Sequence, residues 1–346
     1  MTGIDVPTTR RTAGEVLAWS RVAITPVLHE AVDTLPASTR LVVGYHFGWW
    51  DAAGRTARGG SGKAIRPAFT LLAAEAVGGD AAQAVTAAAA VELAHNHSLV
   101  HDDVMDRDAT RRHRPTAWTV FGVNNAIQAG DALLALAFDV LAGSGHPAAT
   151  RGSRMLTAAV LALVDGQAAD MAFEQRTDVD VAECVRMSTT KTGALMACAC
   201  ALGAAFGGGR PAQVKHLRAF GEDVGVAFQH VDDLLGIWGD PAVTGKPIHS
   251  DLRNRKKSLP VLAAMRSGTP AGRELAALYH RDDDLSAAEL RHVADLVTDA
   301  GGRAWSQGQV DTLLARARYH LRAAGLVARA ADELFALAEL ATHRDH

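Results

Sequence analysis

Residues 95–115 read HNHSLVHDDVMDRDATRRHRP and place Asp102, Asp103 and Asp106 in a stretch with the apolar spacing of a helix. Positions 102 and 106 are about one helical turn apart, so their carboxylates share a face. Like charges at this spacing destabilise a helix unless something positive lies beside them. Three arginines follow at positions 111, 112 and 114. The stretch therefore predicts a helix that ends in a cation site close to basic side chains.

A second acidic pair lies in residues 228–240, FQHVDDLLGIWGD. Gln229 and Asp232 are three residues apart and share a helix face, with Asp233 beside them. Gly236 occupies the position at which a third carboxylate would complete the pattern, which indicates a lost ligand. Magnesium binds proteins through one or two carboxylates together with phosphate oxygens. Two acidic helices in a chain with basic loops therefore predict diphosphate chemistry.

The pattern of apolar residues indicates a protein built from helices. Apolar residues recur at helical spacing along almost the whole chain of 346 residues, and alternating runs rich in Val, Ile and Thr are missing. The fold class is predicted to be all-α, and the short breaks between helices favour an antiparallel bundle. We expect an N-terminal helical extension over residues 1–40 and a single all-α domain over residues 41–346.

Charge and cysteine content exclude several classes of protein. The net charge of −3 leaves no footprint for nucleic acid. Three cysteines, without the spacing of a disulfide framework, indicate a cytoplasmic protein. The amino terminus lacks the apolar core of a signal peptide. The least charged stretch, residues 193–209, is predicted to be a buried helix, so no integral membrane segment is expected.

Cationic side chains occur in three segments that suit anion binding. GSGKAIRP puts Lys63 and Arg66 three residues apart at the start of a helix, whose free N–H groups add to their charge. STTKTGAL supplies Lys191 and Thr192 ahead of an apolar helix, and TGKPIHSDLRNRKKSLP brings lysines close to the second acidic motif. Taken alone, the first segment is as consistent with a solvated helix start as with a phosphate site.

Histidines add two interpretations that compete. His95 shares the stripe of Asp102 and lies about 10 Å from it along the helix axis, a spacing that suits two anionic groups bound side by side. His97 and His101 have the four-residue spacing of zinc ligands, but no glutamate lies between them to act as a metalloprotease base. Because this glutamate is missing, the sequence favours the first interpretation, in which His95 contacts an anionic group.

Taken in order, these motifs resemble those of the trans-isoprenyl diphosphate synthases, the polyprenyl synthetase family, and among them the bacterial geranylgeranyl diphosphate synthases. The resemblance runs from about residue 42 to residue 344. The matching segments are GKAIRP, ELAHNHSLVHDDVMD, RR at 111–112, GD at 130–131, GQAADMAFE, KTGAL, FQHVDD and GKPIHSDLRNRKKSLP.

The resemblance implies an isoprenoid synthase-type bundle around a central active-site cavity, with the two acidic motifs facing each other across its mouth. It implies a homodimer, and about three Mg²⁺ ions per active site when substrate is bound. The implied metal ligands are Asp102, Asp103, Asp106, Asp232 and Asp233. The other implied catalytic residues are Lys191, Thr192, Gln229 and Lys246. The implied substrate-binding residues are Lys63, Arg66, His95, Arg111, Arg112, Phe228 and Lys256.

The resemblance also implies a reaction. Isopentenyl diphosphate would be condensed with an allylic diphosphate, through an allylic carbocation, to give a longer all-trans polyprenyl diphosphate. Product length would be set by His97 and Ser98, just upstream of the first motif. The small Ser98 and the intermediate bulk of His97 predict a C20 geranylgeranyl product, with C15 and longer chains as alternatives.

Several positions depart from the family pattern. Gly236 replaces an aspartate, while His113 and His249 stand where glycine is usual, each beside a phosphate loop. These departures keep open a class I terpene synthase-like enzyme, which would cyclise or hydrolyse an allylic diphosphate without condensation. A non-catalytic regulatory subunit is the third reading. Retention of the residues implied to hold isopentenyl diphosphate argues against the second reading, and five intact aspartates argue against the third.

Overall fold

A computed structural model describes residues 10–57, 62–241, 247–281 and 283–343. It confirms the predicted all-α fold class. A 3-10 turn covers Ala81–Ala84, and a π-helical turn covers Thr189–Gly193. The α-helices are α1 (Ala13–Asp33), α2 (Ala37–Phe47), α3 (Ile65–Ala76), α4 (Val85–Met105), α5 (Ala117–Phe121), α6 (Val123–Ala142), α7 (Ala149–Glu174), α8 (Val181–Ser188), α9 (Ala194–Phe206), α10 (Pro211–Trp238), α11 (Ser250–Arg253), α12 (Leu259–Met265), α13 (Pro270–Tyr279), α14 (Ala287–Asp299), α15 (Gly302–Ala323) and α16 (Ala328–Thr342).

A small β-hairpin follows α4 directly. Strand β1 (Thr110–Arg111) pairs antiparallel with β2 (Arg114–Pro115), and Arg111 lies opposite Arg114. The two residues between them, Arg112 and His113, both have positive φ, at +51° and +60°. Two left-handed residues in a two-residue connection form a type I′ turn, whose twist matches that of the strands. The basic segment after the first acidic motif is therefore folded back as a tight turn.

The described residues form two compact units. The first unit contains residues up to Ala158 together with Cys198–Arg218 and Leu321–Leu337. The second unit contains Ala159–Ala197, Ala219–His320 and the residues from Ala338 onward. The extension over residues 1–40 and the single domain over residues 41–346 stay a prediction.

The core of the first unit is built around α4. Its apolar first half packs against α6 and α3, and every residue from Ala87 to Val91 is fully buried. A Cβ on Gly203 of α9 would overlap the backbone carbonyl of Thr70 in α3, so the two helices approach closely. The weakly charged stretch 193–209 is confirmed as a buried helix, since nearly all of α9 is inaccessible. Small residues thus allow α3 and α9 to pack closely.

The second unit has its own core, around α12, α13 and α14. Val261, Leu275 and Val297 are fully buried in it, and Ile237 brings the end of α10 into the same cluster. Leu252 of the short helix α11 is also completely buried there. This packing attaches the segment after the second acidic motif to the turn of α10 that follows that motif.

Two of the described helices, α6 and α7, are long and apolar enough to cross a membrane on length and composition alone. The same test is passed by core helices of proteins outside membranes. Of the most apolar 18 residues in each helix, 39% are buried within the chain in α6 and 33% in α7.

A buried ion network joins three distant parts of the first unit. Arg11 donates hydrogen bonds to Glu75 of α3 and to Glu333 of α16, and Arg329 donates to the same two carboxylates. The Glu333 side chain is 0% exposed. The two guanidinium groups and the hydrogen bond from the Arg11 backbone outweigh burial and lower the pKa of Glu333. Two cations and two carboxylates therefore balance each other out of water.

Replacing Glu333 by Gln should lower the free energy of unfolding by about 3 kcal/mol, because two buried guanidinium groups would share one carboxylate. Urea-induced unfolding measures the change. Glu339→Gln is the matched control on the same helix, since Glu339 is half exposed and only 3.7 Å from Arg318. We expect the control to change stability by less than about 0.5 kcal/mol. Equal effects from both variants would contradict this account.

Candidate active site

The first acidic motif lies where α4 ends. Met105 is the last helical residue, and Asp106 caps the helix with its backbone N–H donating to the Asp102 carbonyl at 2.8 Å. Asp106 is exposed, Asp102 is half-buried and Asp103 is only 1% exposed. Arg111 of the hairpin donates from Nε to Asp103 Oδ1 at 2.6 Å. Arg111 therefore places a positive charge directly beside the first acidic motif.

Asp103 has a second oxygen that no described residue satisfies. Its Oδ2 is buried and accepts no hydrogen bond within the described part of the chain. Burial raises the pKa of Asp103 to about 6, although Arg111 opposes the shift. An acceptor buried without a donor costs roughly 1–3 kcal/mol. A metal ion would satisfy it, so the first motif fits the Mg²⁺ that the resemblance implies.

Two of the residues that the resemblance assigns to substrate binding, one on α3 and one on α4, contact each other. Arg66 Nη1 lies 3.0 Å from His95 Nε2. Since a guanidinium only donates, His95 must accept at Nε2 and carry its proton on Nδ1. Burial, then Arg66 and Arg112, lower the pKa of His95 well below its usual value. His95 is thus a neutral donor held next to a permanent positive charge.

Arg112 extends this cluster from the hairpin. A Cβ on Gly62 would lie 2.6 Å from Arg112 Nη2, and the φ of +81° at this position also favours glycine. Arg112 Nη1 is buried, and no described residue accepts a hydrogen bond from it. Lys63 is exposed just ahead of α3. The cluster thus offers a buried guanidinium N–H group suited to an anion.

Three residues behind the cluster, two of them buried, were missed by the sequence analysis. Glu92 lies on α4 about one turn before His95, and Asn96 donates to its carboxylate at 3.1 Å. His46 of α2 lies 3.1 Å from Asn96 Oδ1. Burial, followed by the charges of Arg112 and Arg111, lowers the pKa of His46 to about 3. The only sequence signal was Glu92 in ELAHNHSLV, an acidic residue at a buried position of an apolar helix.

The second acidic motif lies on α10 within the second unit. Asp233 is 2% exposed, and burial raises its pKa to about 6 despite the nearby Lys256. Its Oδ1 accepts from Gln229 Nε2 at 2.8 Å, and its Oδ2 accepts from the Leu259 backbone N–H at 2.9 Å. Asp232 is half-buried beside it. Asp233 is therefore fixed by groups from two different elements.

Thr192 and Gln229 are linked to each other. Thr192 Oγ1 donates to Gln229 Oε1 at 2.7 Å, which extends the hydrogen-bond chain to Asp233. Thr192 belongs to the π-helical turn between α8 and α9, and this turn is continuous with both helices. π-turns of this kind are frequent at functional sites. The turn brings the Thr192 hydroxyl and the Gln229 amide together.

Lys191 is paired with a carboxylate that the sequence analysis quoted but gave no role. Its Nζ lies 2.6 Å from Asp170 Oδ2 of α7, and both side chains are less than 20% exposed. A Cβ on Gly166, one turn earlier, would overlap the Lys191 backbone, so this glycine permits the close approach of the π-turn. The segment GQAADMAFE therefore supplies both the space and the counter-charge for Lys191.

Lys256 lies between two carboxylates of the second unit. Its Nζ is 3.8 Å from Asp233 Oδ1 and 3.9 Å from Asp251 Oδ2. Burial alone would lower its pKa, but the surrounding carboxylates, led by Asp251, raise it. Lys246, predicted to share this role, lies outside the described residues. Lys256 therefore stays charged among the acidic side chains.

The predicted site residues fall into two groups, one in each compact unit. The first unit contains Lys63, Arg66, His95, His97, Ser98, Asp102, Asp103, Asp106, Arg111 and Arg112. The second contains Lys191, Thr192, Phe228, Gln229, Asp232, Asp233 and Lys256.

No group of three His, Cys, Asp or Glu side chains within the described ranges forms a ready-made metal cage. A bound Mg²⁺ would therefore take phosphate oxygens and water for much of its shell, as this ion usually does.

The two predicted length-determining residues are buried on α4. His97 Nδ1 lies 3.0 Å from the Gly130 carbonyl of α6, and its ring contacts the ring of His101 at 4.5 Å. A Cβ on Gly130 would overlap the His101 ring, which explains the glycine of the GD motif. Ser98 donates to the His95 carbonyl at 2.8 Å. His97 thus packs tightly between α4 and α6.

The two unusual histidines occupy left-handed backbone positions. His113 has φ of +60° in the hairpin turn, and His249 has φ of +61° where it caps α11. Glycine adopts this conformation without steric cost, whereas other residues lose roughly 1–2 kcal/mol. The conformation explains why glycine is expected at both positions. The histidines therefore add backbone strain as well as bulk.

His113→Gly should raise the free energy of unfolding by about 0.5 kcal/mol. Relief of about 1–2 kcal/mol of strain exceeds the roughly 0.4–1 kcal/mol that glycine adds to the entropy of the unfolded chain. Urea-induced unfolding measures the shift. His113→Ala is the control, since it keeps the Cβ and should not stabilise the protein. A glycine variant no more stable than the alanine variant would rule out strain at this turn.

Comparisons with known proteins agree with the site chemistry. The Polyprenyl synthetase family model matches residues 49–297. The chain is 45% identical to a (2E,6E)-farnesyl diphosphate synthase of Mycobacterium tuberculosis, over 97% of this chain and 94% of the relative. It is 44% identical to a geranylgeranyl diphosphate synthase of the same organism, over 95% and 93% of the two chains.

A solved structure has the same fold as this chain. The polyprenyl synthetase of Streptomyces coelicolor A3(2) superposes with a TM-score of 0.91 at 45% identity, covering 95% of this chain and 99% of the other. Family, fold and the ordered motifs therefore coincide over nearly the whole length. The chain belongs to the polyprenyl synthetase family and is an isoprenyl diphosphate synthase, a prenyltransferase.

Proposed function

We propose that this enzyme condenses isopentenyl diphosphate with an allylic diphosphate to give an all-trans polyprenyl diphosphate, with C20 geranylgeranyl diphosphate as the product. The observation that carries the proposal is the cluster formed by Arg66, His95 and Arg112. Arg66 and His95 contact each other at 3.0 Å, and Arg112 Nη1 has no acceptor among the described residues. Such a cluster suits a diphosphate bound without a metal.

The cluster favours condensation over cyclisation. A cyclase binds one diphosphate, and the acidic motifs suffice for it. Arg66, Arg112, Lys63 and the Nδ1–H of His95 form a second set of donors, which only an acceptor diphosphate requires. Burial of the guanidinium groups strengthens their attraction for an anion, because the local dielectric constant is lower than that of water. We assign this set to isopentenyl diphosphate.

The donor side is assigned to the two acidic motifs. Asp102, Asp103 and Asp106, with Asp232 and Asp233, would hold Mg²⁺ on the allylic diphosphate. The bound metal would supply Lewis-acid stabilisation of the diphosphate that leaves. Arg111, Lys191, Lys246 and Lys256 are assigned to the same diphosphate as cations. The orphaned Asp103 Oδ2 supports a ligand role for that residue.

The chemistry then follows from charge and position. The cationic side chains stabilise negative charge that grows on the leaving diphosphate as the allylic C–O bond breaks. The double bond of isopentenyl diphosphate attacks the allylic cation to form the new C–C bond, and a proton leaves to regenerate a double bond. The departing diphosphate accepts this proton, so no strong protein base is required. We assign the oxygens of Thr192 and Gln229 to the stabilisation of the cation, and Phe228 to substrate packing beside them.

Product length is the finer part of the proposal. The two mycobacterial relatives carry names for C15 and C20 synthases at nearly equal identity, 45% and 44%. The C20 assignment therefore depends on His97 and Ser98. A small side chain at position 98 leaves room for a longer product, and the histidine at position 97 is of intermediate bulk.

The experiment is an incubation of purified enzyme with Mg²⁺ and isopentenyl diphosphate. Dimethylallyl, geranyl and farnesyl diphosphate serve as separate allylic primers, and products are identified by mass. We expect elongated diphosphates ending at C20, and loss of turnover when a chelator removes the metal. Cyclic hydrocarbons or alcohols from one allylic substrate alone would instead support the cyclase. No turnover with any primer would contradict both enzymes and leave the regulatory subunit.

His97→Ala should lengthen the products beyond those of the unmodified enzyme, because it removes a ring of intermediate size from the predicted cavity floor. Mass analysis of products from the same incubation measures the change. His101→Ala is the matched control, since His101 lies one turn further along α4 and contacts the Ile127 carbonyl of α6 at 3.1 Å. An unchanged product distribution in His97→Ala would remove His97 from the length-determining role.

We also propose that the enzyme is a cytoplasmic homodimer. Val123 and Ile127 leave apolar surface exposed on α6, as do Leu161 and Val164 on α7. Apolar surface of this kind on long helices is a common contact between identical subunits. The three cysteines are buried and unpaired, which suits a reducing compartment.

A further inference from the structure

Arg114 is the third arginine after the first acidic motif, and the proposed function gives it no role. Arg111 and Arg112 are assigned to the two diphosphates. Arg114 instead donates from Nη1 to the Tyr45 carbonyl at 3.2 Å and from Nη2 to the Trp50 carbonyl at 3.3 Å. Tyr45 belongs to α2, and Trp50 follows that helix. The third arginine therefore joins the hairpin to α2 and to the segment that leaves it.

The Tyr45 side chain holds the same strand of the hairpin. The Arg114 guanidinium carbon lies 4.5 Å from the centre of its ring, and its hydroxyl donates to the Pro115 carbonyl at 2.9 Å. The ring is buried and contacts Phe121 of α5 edge to face at 5.2 Å. A guanidinium can stack on a ring while its two arms donate to separate acceptors, which a lysine ammonium cannot do. Strand β2 is therefore attached to α2 at two successive residues.

The hairpin depends on outside contacts because it is weak by itself. Each strand has only two residues, and a two-stranded hairpin alone is at best marginally stable in water. Arg111 and Arg114 lie directly opposite each other, an arrangement in which like charges repel. Arg112 and His113 adopt left-handed φ values without being glycine, which costs free energy. Strain of this kind persists only where the surrounding structure fixes it.

We propose that Arg114 is a positioning residue, which together with Tyr45 holds the hairpin in the conformation that presents Arg111 and Arg112 to the two diphosphates. The inference rests on the proposed function, which assigns Arg111 to the allylic diphosphate and Arg112 to isopentenyl diphosphate. Both arms of the Arg114 guanidinium are occupied by carbonyl oxygens, so it acts through its two neighbours on the hairpin rather than on substrate.

One short hairpin carries a cation for each substrate, and this determines the expected kinetic effect. If the hairpin of a variant is in the correct conformation for about one tenth of the time, the apparent dissociation constants of both substrates rise about tenfold. Substrates that are already bound hold Arg111 and Arg112 in place, so kcat changes much less. Loss of a direct contact with one diphosphate would instead raise the KM for that substrate alone.

The first test measures steady-state kinetics of the full-length enzyme with Mg²⁺, isopentenyl diphosphate and the primer that it elongates best. We expect Arg114→Ala to raise the KM of both substrates about tenfold and to change kcat less than about threefold. Arg114→Lys should be equally impaired, because it keeps the charge but cannot donate to both carbonyls. Arg40→Ala is the control, since Arg40 of α2 is 41% exposed and 3.8 Å from Asp33, and it should leave both KM values unchanged.

The second test separates local positioning from a general loss of stability. Amide hydrogen exchange of Arg114→Ala should become faster in residues 108–116 and stay unchanged in the buried part of α4, residues 87–91. Tyr45→Phe is a milder variant that keeps the ring and removes only the hydroxyl. It should raise both KM values about threefold, the effect of one hydrogen bond. This variant decides the question if Arg114→Ala does not fold.

The outcomes separate the two proposals. With normal turnover in the unmodified enzyme, unchanged KM values in the variants, or a rise for one substrate only, overturn the role of Arg114 and leave the proposed function intact. Normal KM values in Arg114→Lys, or faster exchange in α4 as well as in the hairpin, also overturn it. If the unmodified enzyme elongates no primer, the proposed function fails and this inference fails with it.

Discussion

A buried carboxylate needs a partner, and this constraint shapes the chain after each acidic motif. Removing one member of a buried ion pair typically costs about 3–5 kcal/mol, so neither Asp103 nor Asp233 could be buried alone. Arg111 reaches Asp103 only because the chain turns back in a hairpin. Asp233 obtains Lys256 and the Leu259 N–H only because α11 and α12 pack beside α10. The folds of both following segments therefore depend on the motif carboxylates.

Meeting these partners requires backbone that regular helices cannot provide. Left-handed φ values occur in the non-glycine residues Ala64, Arg107, Arg112, His113 and Arg255, each next to a residue assigned to diphosphate or metal. Such positions cost free energy and persist where the surrounding structure fixes them. Arg255, for example, donates from its guanidinium to the carbonyls of Leu278 and Asp283. Strain in these loops is thus balanced by anchors in the helical core.

Local sequence patterns predicted the fold class and the acidic motifs. They missed contacts that depend on long-range packing. The helical spacing predicted the fold class, and the paired aspartates predicted where cations gather, because both signals lie within one or two turns of sequence. Asp170 and Asp251 escaped notice because their partners are set by helix packing. Lys191 is 21 residues from Asp170, and Gly236 meets Asp251 only through the burial of Leu252. The type I′ turn was also missed, since Arg112 and His113 are not residues that usually signal one.

The balance of charge within each group of residues suggests how two similar diphosphates are told apart. In the cluster of Arg66 and Arg112 the neighbouring histidines, His46 and His95, are held neutral, and Glu92 is the buried carboxylate behind them. That cluster is positive and attracts a bare diphosphate. The carboxylates of Asp232 and Asp233 repel a bare diphosphate but attract one that carries divalent metal. Cations in one group and carboxylates in the other would therefore direct the metal-bound allylic substrate and the metal-free acceptor to different residues, without any contact to their hydrocarbon tails.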